Sequence, residues 1–184
     1  MGGGTGRGGL LQPKSKQKFR VRVFGFGPVN GGLELSQQVE TVARPQSQQE
    51  SVAVHSYNSV GYYAGKAIWQ PLELTVKDDV SNSVSRLVGH QMQKQMNFFQ
   101  QTTPLAGSNY KFLTYIETMD GGDDTVLEQW ILEGCFLESV NYGDFDYKAA
   151  DLMTIQMSIR YDNATQQGGL MPINPQLGVG PMLG

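Results

Sequence analysis

Between Phe19 and Val23 apolar and basic residues alternate, with Phe19, Val21 and Val23 on one face and Arg20 and Arg22 on the other. A period of two predicts a half-buried strand. Gly25 to Gly32, with Pro28 inside it, predicts a turn; Asn30 stands where a dinucleotide fingerprint needs its third glycine. A second strand is predicted over 33–42, closed by Arg44-Pro45, and a third over Leu72–Lys77. Further strands are predicted over 111–119, 125–142 and 152–161. The stretch 125–142 is apolar on both faces, Trp130, Leu132 and Phe136 on one and Ile131, Cys135 and Leu137 on the other, with Gly134 marking a bulge. The segment 152–161 alternates most strictly, placing Met153, Ile155, Met157, Ile159 and Tyr161 together.

One stretch has a different period. Val80, Val84, Leu87, Val88, Met92, Met96 and Phe99 form a single helical stripe, which predicts an amphipathic helix over 79–100. Asp78-Asp79 supplies a cap and favourable charge at its start, and Thr102-Thr103-Pro104 ends it. His90 within it reads as a surface residue rather than a ligand. Six or seven strands and one helix predict a mainly β (α+β) domain, a β-sandwich or partly open barrel with the helix on its flank.

Residues 45–66 are long, polar and rich in Gln, Ser, Gly and Tyr, with an alternating piece at Val52-Ala53-Val54. A connection of that length inside a compact domain is usually functional, and it predicts a protruding hairpin. The organisation is then a flexible basic Gly-rich arm over 1–17, a β domain over 18–164, and an uncharged tail over 165–184. The tail is rich in Gly and Pro, so no regular structure is expected there, and its apolar residues suit docking on a partner surface.

Charge divides the chain. Residues 1–33 carry six bases and no acid, whereas the remainder carries eight bases against seventeen acids, leaving a net −3. A basic arm on an acidic body can bind nucleic acid or the body of a neighbouring copy. The body has no cluster of bases to hold a polyanion. The single cysteine, Cys135, lies in an apolar run and reads as a small buried side chain. The acidic loop Asp120–Asp124 fails the EF-hand spacing, because Ile131 occupies the twelfth position. No phosphate loop, zinc cluster or nucleophile elbow is present, and no run is long and apolar enough for a membrane segment. The expectation is a protein that is not an enzyme and uses no cofactor, catalytic residue or metal.

A combination of segments carries more information than any motif. Ile68-Trp69-Gln70-Pro71-Leu72-Glu73-Leu74-Thr75-Val76-Lys77-Asp78-Asp79 runs into the single helix. Later come Trp130–Tyr142 and a final strand ending Ile159-Arg160-Tyr161-Asp162-Asn163-Ala164. In element order and spacing over 18–164 this resembles the tail tube proteins of T-even-type contractile bacteriophages. The resemblance implies a ring-forming subunit, stacked as hexamers into a hollow conduit that delivers DNA into a host cell without binding it specifically. The implied partners are further copies of the chain, a sheath protein, a baseplate and a tail terminator; the implied location is a virion tail assembled in the host cytoplasm. Type VI secretion tubes and baseplate proteins that start the phage tube share the fold, so a tube-initiator ring and a secretion-type tube remain alternatives. A non-tubular binding module using the 45–66 loop is the alternative of another class. Candidate contacts between rings are Gln48, Glu50, Val52, Val54, Tyr57, Tyr62 and Tyr63; candidate acids at an edge or the lumen are Asp120, Asp123, Asp124, Asp144 and Asp146.

Overall fold

The computed structural model describes residues 14–28, 35–119, 125–148 and 150–168. Nine strands are described: β1 (Phe19–Phe24), β2 (Val39–Val42), β3 (Ser47–Ser56), β4 (Ser59–Trp69), β5 (Leu72–Lys77), β6 (Phe112–Met119), β7 (Val126–Asn141), β8 (Thr154–Arg160) and β9 (Asn163–Gly168). One helix, α1 (Ser83–Gln95), lies between β5 and β6. The fold is mainly β and antiparallel.

The body is one sheet in the order β1-β6-β7-β8-β5-β2, with β9 also on β7. β7 holds it together because it is long enough to have different neighbours at its two ends. Its first half pairs with β6 and β9, and its second half with β8. β8 and β9 follow one another along it, Phe136 opposite Arg160 and Glu133 opposite Asn163. β9 therefore takes the first residues of what the sequence reads as tail. Asn163–Gly168 contains no proline, and β7 offers an unpaired edge there.

Gly134 is the bulge its sequence suggests. Two steps along β6, from Phe112 to Thr114, match three along β7, from Cys135 to Leu132. The extra residue shifts the phase of the strand, so Leu132, Cys135 and Leu137 all face the core. This corrects the expectation that Leu132 lies on the face opposite Cys135 and Leu137: a period-two reading fails across an inserted residue. Gly134 has φ +68°, and a Cβ there would collide with the Asp162 carboxylate.

The core joins Val21 and Val23 of β1, Leu72, Leu74 and Val76 of β5, Ile155, Met157 and Ile159 of β8, and Val84, Leu87 and Val88 of α1. The helix is shorter than the stripe predicted. Asn82, at φ 58°, is left-handed and stops the helix on its N-terminal side. Asp79 still serves the start: its carboxylate accepts hydrogen bonds from the Ser81 hydroxyl and from the N–H and hydroxyl of Ser83, which bring its pKa down to about 2. At the other end Met96 is extended, and the Asn97 side chain accepts from the N–H groups of Phe99 and Gln100. That local alternative competes with helix. Val80 and Phe99 consequently lie outside the helix and are exposed.

The second strand is also shorter than the expected 33–42. Residues 35–37 form a helical turn that buries Leu35.

Candidate assembly interface

β3 and β4 form a sheet of their own, paired only with each other among the described residues. Val52 faces Tyr63, Ala53 faces Tyr62 and Val54 faces Gly61 across the hairpin. Successive side chains point to opposite faces, so both faces carry apolar groups. Neither is covered: Tyr57 is 100 % exposed, Tyr62 71 % and Tyr63 65 %, and Val52, Val54 and Val60 are exposed with them. Residues 51–65 contain no Asp, Glu, Lys or Arg. An uncharged, two-sided strand pair this long is unusual in water, where an isolated hairpin is marginal at best.

The hairpin exceeds the 45–66 boundary at its far end, since β4 continues to Trp69. Its strands are displaced by an irregularity between Gln49 and Ser51, where Gly65 lets them approach; a Cβ on Gly65 would stand 2.9 Å from the Glu50 carbonyl oxygen. The root is fixed to the body. Trp69 packs on Tyr161 with ring centroids 5.8 Å apart, and Arg160 donates to the Trp69 carbonyl (3.2 Å) and to Glu138 (3.0 Å). A fixed root and an uncovered blade are what a rigid protrusion requires.

All seven ring-contact candidates, Gln48, Glu50, Val52, Val54, Tyr57, Tyr62 and Tyr63, fall on this hairpin and are exposed. The acidic candidates divide. Asp120, Asp123 and Asp124 lie outside the described residues. Asp144 and Asp146 are exposed in the connection from β7 to β8, where Asp146 accepts from the Lys148 N–H at 2.9 Å.

That connection also carries an apolar surface that no period in the sequence predicts. Tyr142, Phe145, Tyr147, Leu152 and Met153 are all exposed along it. The signal was present as aromatic residues interleaved with Asp144 and Asp146, but no periodic pattern marks a loop as a contact surface.

The remaining candidate chemistry is structural. Cys135 is buried, and desolvation pushes its thiol up to about 11, so it stays protonated and unreactive at neutral pH. His90 is exposed. Among the described residues no group of three or more His, Cys, Asp or Glu is placed to hold a metal, and no helix is long and apolar enough to cross a membrane. The basic arm meets the body at Lys14, which bonds Glu128 at 2.7 Å. That bond leads the interactions keeping the Glu128 pKa below its ordinary value.

No protein-family profile and no curated protein sequence matches the chain. Solved structures do match it in fold. A chain of the anti-feeding prophage baseplate, six-fold symmetrised, superposes with a TM-score of 0.64 at 12 % identity, over 88 % of this chain and 100 % of that one. A chain of the anti-feeding prophage tube-terminating cap gives 0.64 at 14 %, over 87 % and 94 %. A chain of the PVC sheath-tube complex, from an extracellular contractile injection system in its extended state, gives 0.65 at 11 %, over 86 % and 94 %. The chain therefore has a fold found in the tube-associated parts of contractile injection systems.

Proposed function

We propose that this chain is the structural subunit of a bacteriophage tail tube, stacking as rings into a conduit through which DNA is delivered. The observation that carries the reading is the β3–β4 hairpin, a rooted protrusion whose two apolar faces have nothing to pack on among the described residues. Removing such faces from water favours association by roughly 25 cal/mol per Å² before the entropy lost on association is counted, and a head-to-tail contact closes as a ring or continues as a stack. The neighbouring folds come from six-fold and tube-associated assemblies, which supports hexameric rings. In this reading the hairpin bridges successive rings through Val52, Val54, Tyr57, Tyr62 and Tyr63, and a sheath, a baseplate and a terminator complete the tail.

DNA must slide rather than stick, and a basic wall would hold it through counterion release. The arm residues Lys14, Lys16 and Lys18 accordingly sit away from the bore. Lys14 already has a carboxylate partner on the body.

Electron microscopy of the purified protein tests the proposal, with tubes or stacked rings expected. Deleting 47–64 should leave folded subunits that no longer polymerise; unchanged tubes from the deletion would reject the hairpin's role. A second reading is a ring that starts or ends a tube, favoured by the likeness to baseplate and cap chains. Single rings that never elongate would select it.

A further inference from the structure

The segment that leads into β1 and the residues in and just after β2 line a groove of about 970 Å³. Phe19, Val42 and Ile116 give it an apolar floor. Around them stand Lys14, Lys16, Lys18 and Arg44, against one acid, Glu40. Such a groove is a poor nucleic-acid site, because phosphates need donors along their track and this floor offers none. It suits a partner that brings aromatic groups and carboxylates together.

One surface of the same chain has that composition. The connection from β7 to β8 exposes Phe145, Tyr147 and Leu152, interleaved with Asp144, Asp146 and Asp151 against one base, Lys148. The other exposed aromatic surfaces among the described residues lack acids. Tyr57, Tyr62 and Tyr63 lie in the uncharged stretch 51–65, Phe98 and Phe99 stand between Asn97 and Gln100, and Phe24 follows Arg22 by two. The acidic loop is fixed at both feet. The Asn141 side chain accepts from the Gly143 N–H at 3.0 Å, and the Asp78 N–H donates to the Met153 carbonyl at 2.9 Å. Its exposed aromatic side chains do not fill their own chain's groove.

We propose that the β7–β8 loop of one copy docks in this groove of a second copy, with Phe145 and Tyr147 on the apolar floor and the loop's acids among the groove's bases. A loop that meets a different surface of the next copy makes a head-to-tail contact, the kind that closes a ring or continues a stack. Opposite charge steers the two surfaces together and disfavours loop-on-loop and groove-on-groove pairing. The proposal rests on the self-assembly read above, and its interface is separate from the hairpin's.

Disulfide trapping between full chains tests this, with every substitution at an exposed position. Chains carrying Phe145→Cys are mixed with chains carrying Thr41→Cys, which lines the groove. The mixed bond should form on the order of tenfold faster than when His90→Cys, on α1, replaces Phe145→Cys. Asp144→Lys with Asp151→Lys on the loop chain should abolish that advantage, and Lys16→Asp with Arg44→Asp on the groove chain should restore it. A rate no faster than the α1 control would overturn the proposal, as would a charge reversal without effect or a reversal that the swap does not restore. So would closure within a single dilute chain carrying both cysteines, which would make the loop its own groove's occupant. A short DNA duplex that shields Thr41→Cys from a maleimide, with no advantage for the loop cysteine, would make nucleic acid the occupant and overturn it too. Microscopy reports tubes separately: the bond without tubes would keep this contact and reject the tube, and tubes without the bond would do the opposite.

Discussion

The side-chain amide of Gln95, on α1, hydrogen-bonds both backbone groups of Leu137 on β7, donating to the carbonyl at 2.8 Å and accepting from the N–H at 2.8 Å. β6 pairs with β7 only as far as Cys135, so beyond that point the helix supplies what a neighbouring strand would. One turn earlier Gln91 does the same kind of work, accepting from the Gly27 N–H at 3.0 Å and donating to the Tyr110 carbonyl at 2.7 Å. These two glutamines, four residues apart, fix the helix to the sheet by polar contacts beside its apolar stripe.

Gln95→Ala should therefore destabilise the subunit by about 1–3 kcal/mol, because it leaves a partly buried donor and acceptor unpaired. Denaturant unfolding measures this, and amide exchange at Leu137 should accelerate with it. Gln95→Glu keeps an acceptor and loses the donor. Protonation restores the donor, so the folded state raises that carboxyl's pKa and the variant's deficit should shrink as pH falls.

Gly134→Ala should cost more than an ordinary loop substitution. The left-handed backbone alone costs roughly 1–2 kcal/mol for a residue with a Cβ, and the new methyl meets Asp162. Adding Asp162→Ala should relieve the collision with the carboxylate, leaving its Cβ 3.2 Å away, but not the backbone strain. Full recovery in the double variant, read by thermal unfolding, would show that the bulge does not require glycine.

Glu117 on β6 is fully buried, yet it faces away from the core beneath Arg20 and Arg22 of β1. It accepts from both guanidinium groups and from the Gln129 amide at 2.9 Å. Burial works to raise its pKa, but hydrogen bonds and charge from the two arginines outweigh it, and the net shift is downward. A depressed folded-state pKa contributes stability that is complete above the ordinary glutamate value of 4.5 and declines as pH falls through the lower folded value. Glu117→Gln should lose about 1.5–3 kcal/mol at neutral pH. The difference from the parent protein should narrow on acidification; a constant difference from pH 7 to pH 3 would remove the arginines from the explanation.

The sequence reveals the fold wherever one period runs without interruption. Leu72–Lys77 is a strand as predicted, with Leu72, Leu74 and Val76 buried, and Ile155, Met157 and Ile159 share a buried face. It misleads where a left-handed residue, a local hydrogen bond or an inserted residue overrides the period. Asn82 and Asn97 cut the helix inside its own apolar stripe, and an inserted residue at Gly134 reverses the face of half a strand. The protruding hairpin is legible from length and composition, but its reach to Trp69 is not, because Ala64–Ile68 looks like the end of a loop. The glutamine latch is invisible in sequence: Gln91 and Gln95 resemble any polar helix positions until the edge of β7 is in place.

The last prediction separates the hairpin's stability from its contacts. Val52 and Tyr63 are cross-strand partners, and both are exposed. Val52→Lys with Tyr63→Glu puts opposite charges directly across the pair, an arrangement that supports antiparallel strands by roughly 0.2–1 kcal/mol. The hairpin should survive, and subunit stability should stay within about 0.5 kcal/mol of the parent, as for surface changes generally. Apolar burial against a neighbouring ring would be lost, and the two charges would be desolvated without partners on the facing copy. Sedimentation and microscopy should then show subunits or isolated rings in place of tubes. Tubes of normal length from this folded double variant would mean that rings stack through another surface, and the exposed aromatic loop around Phe145 and Tyr147 would be the next to change.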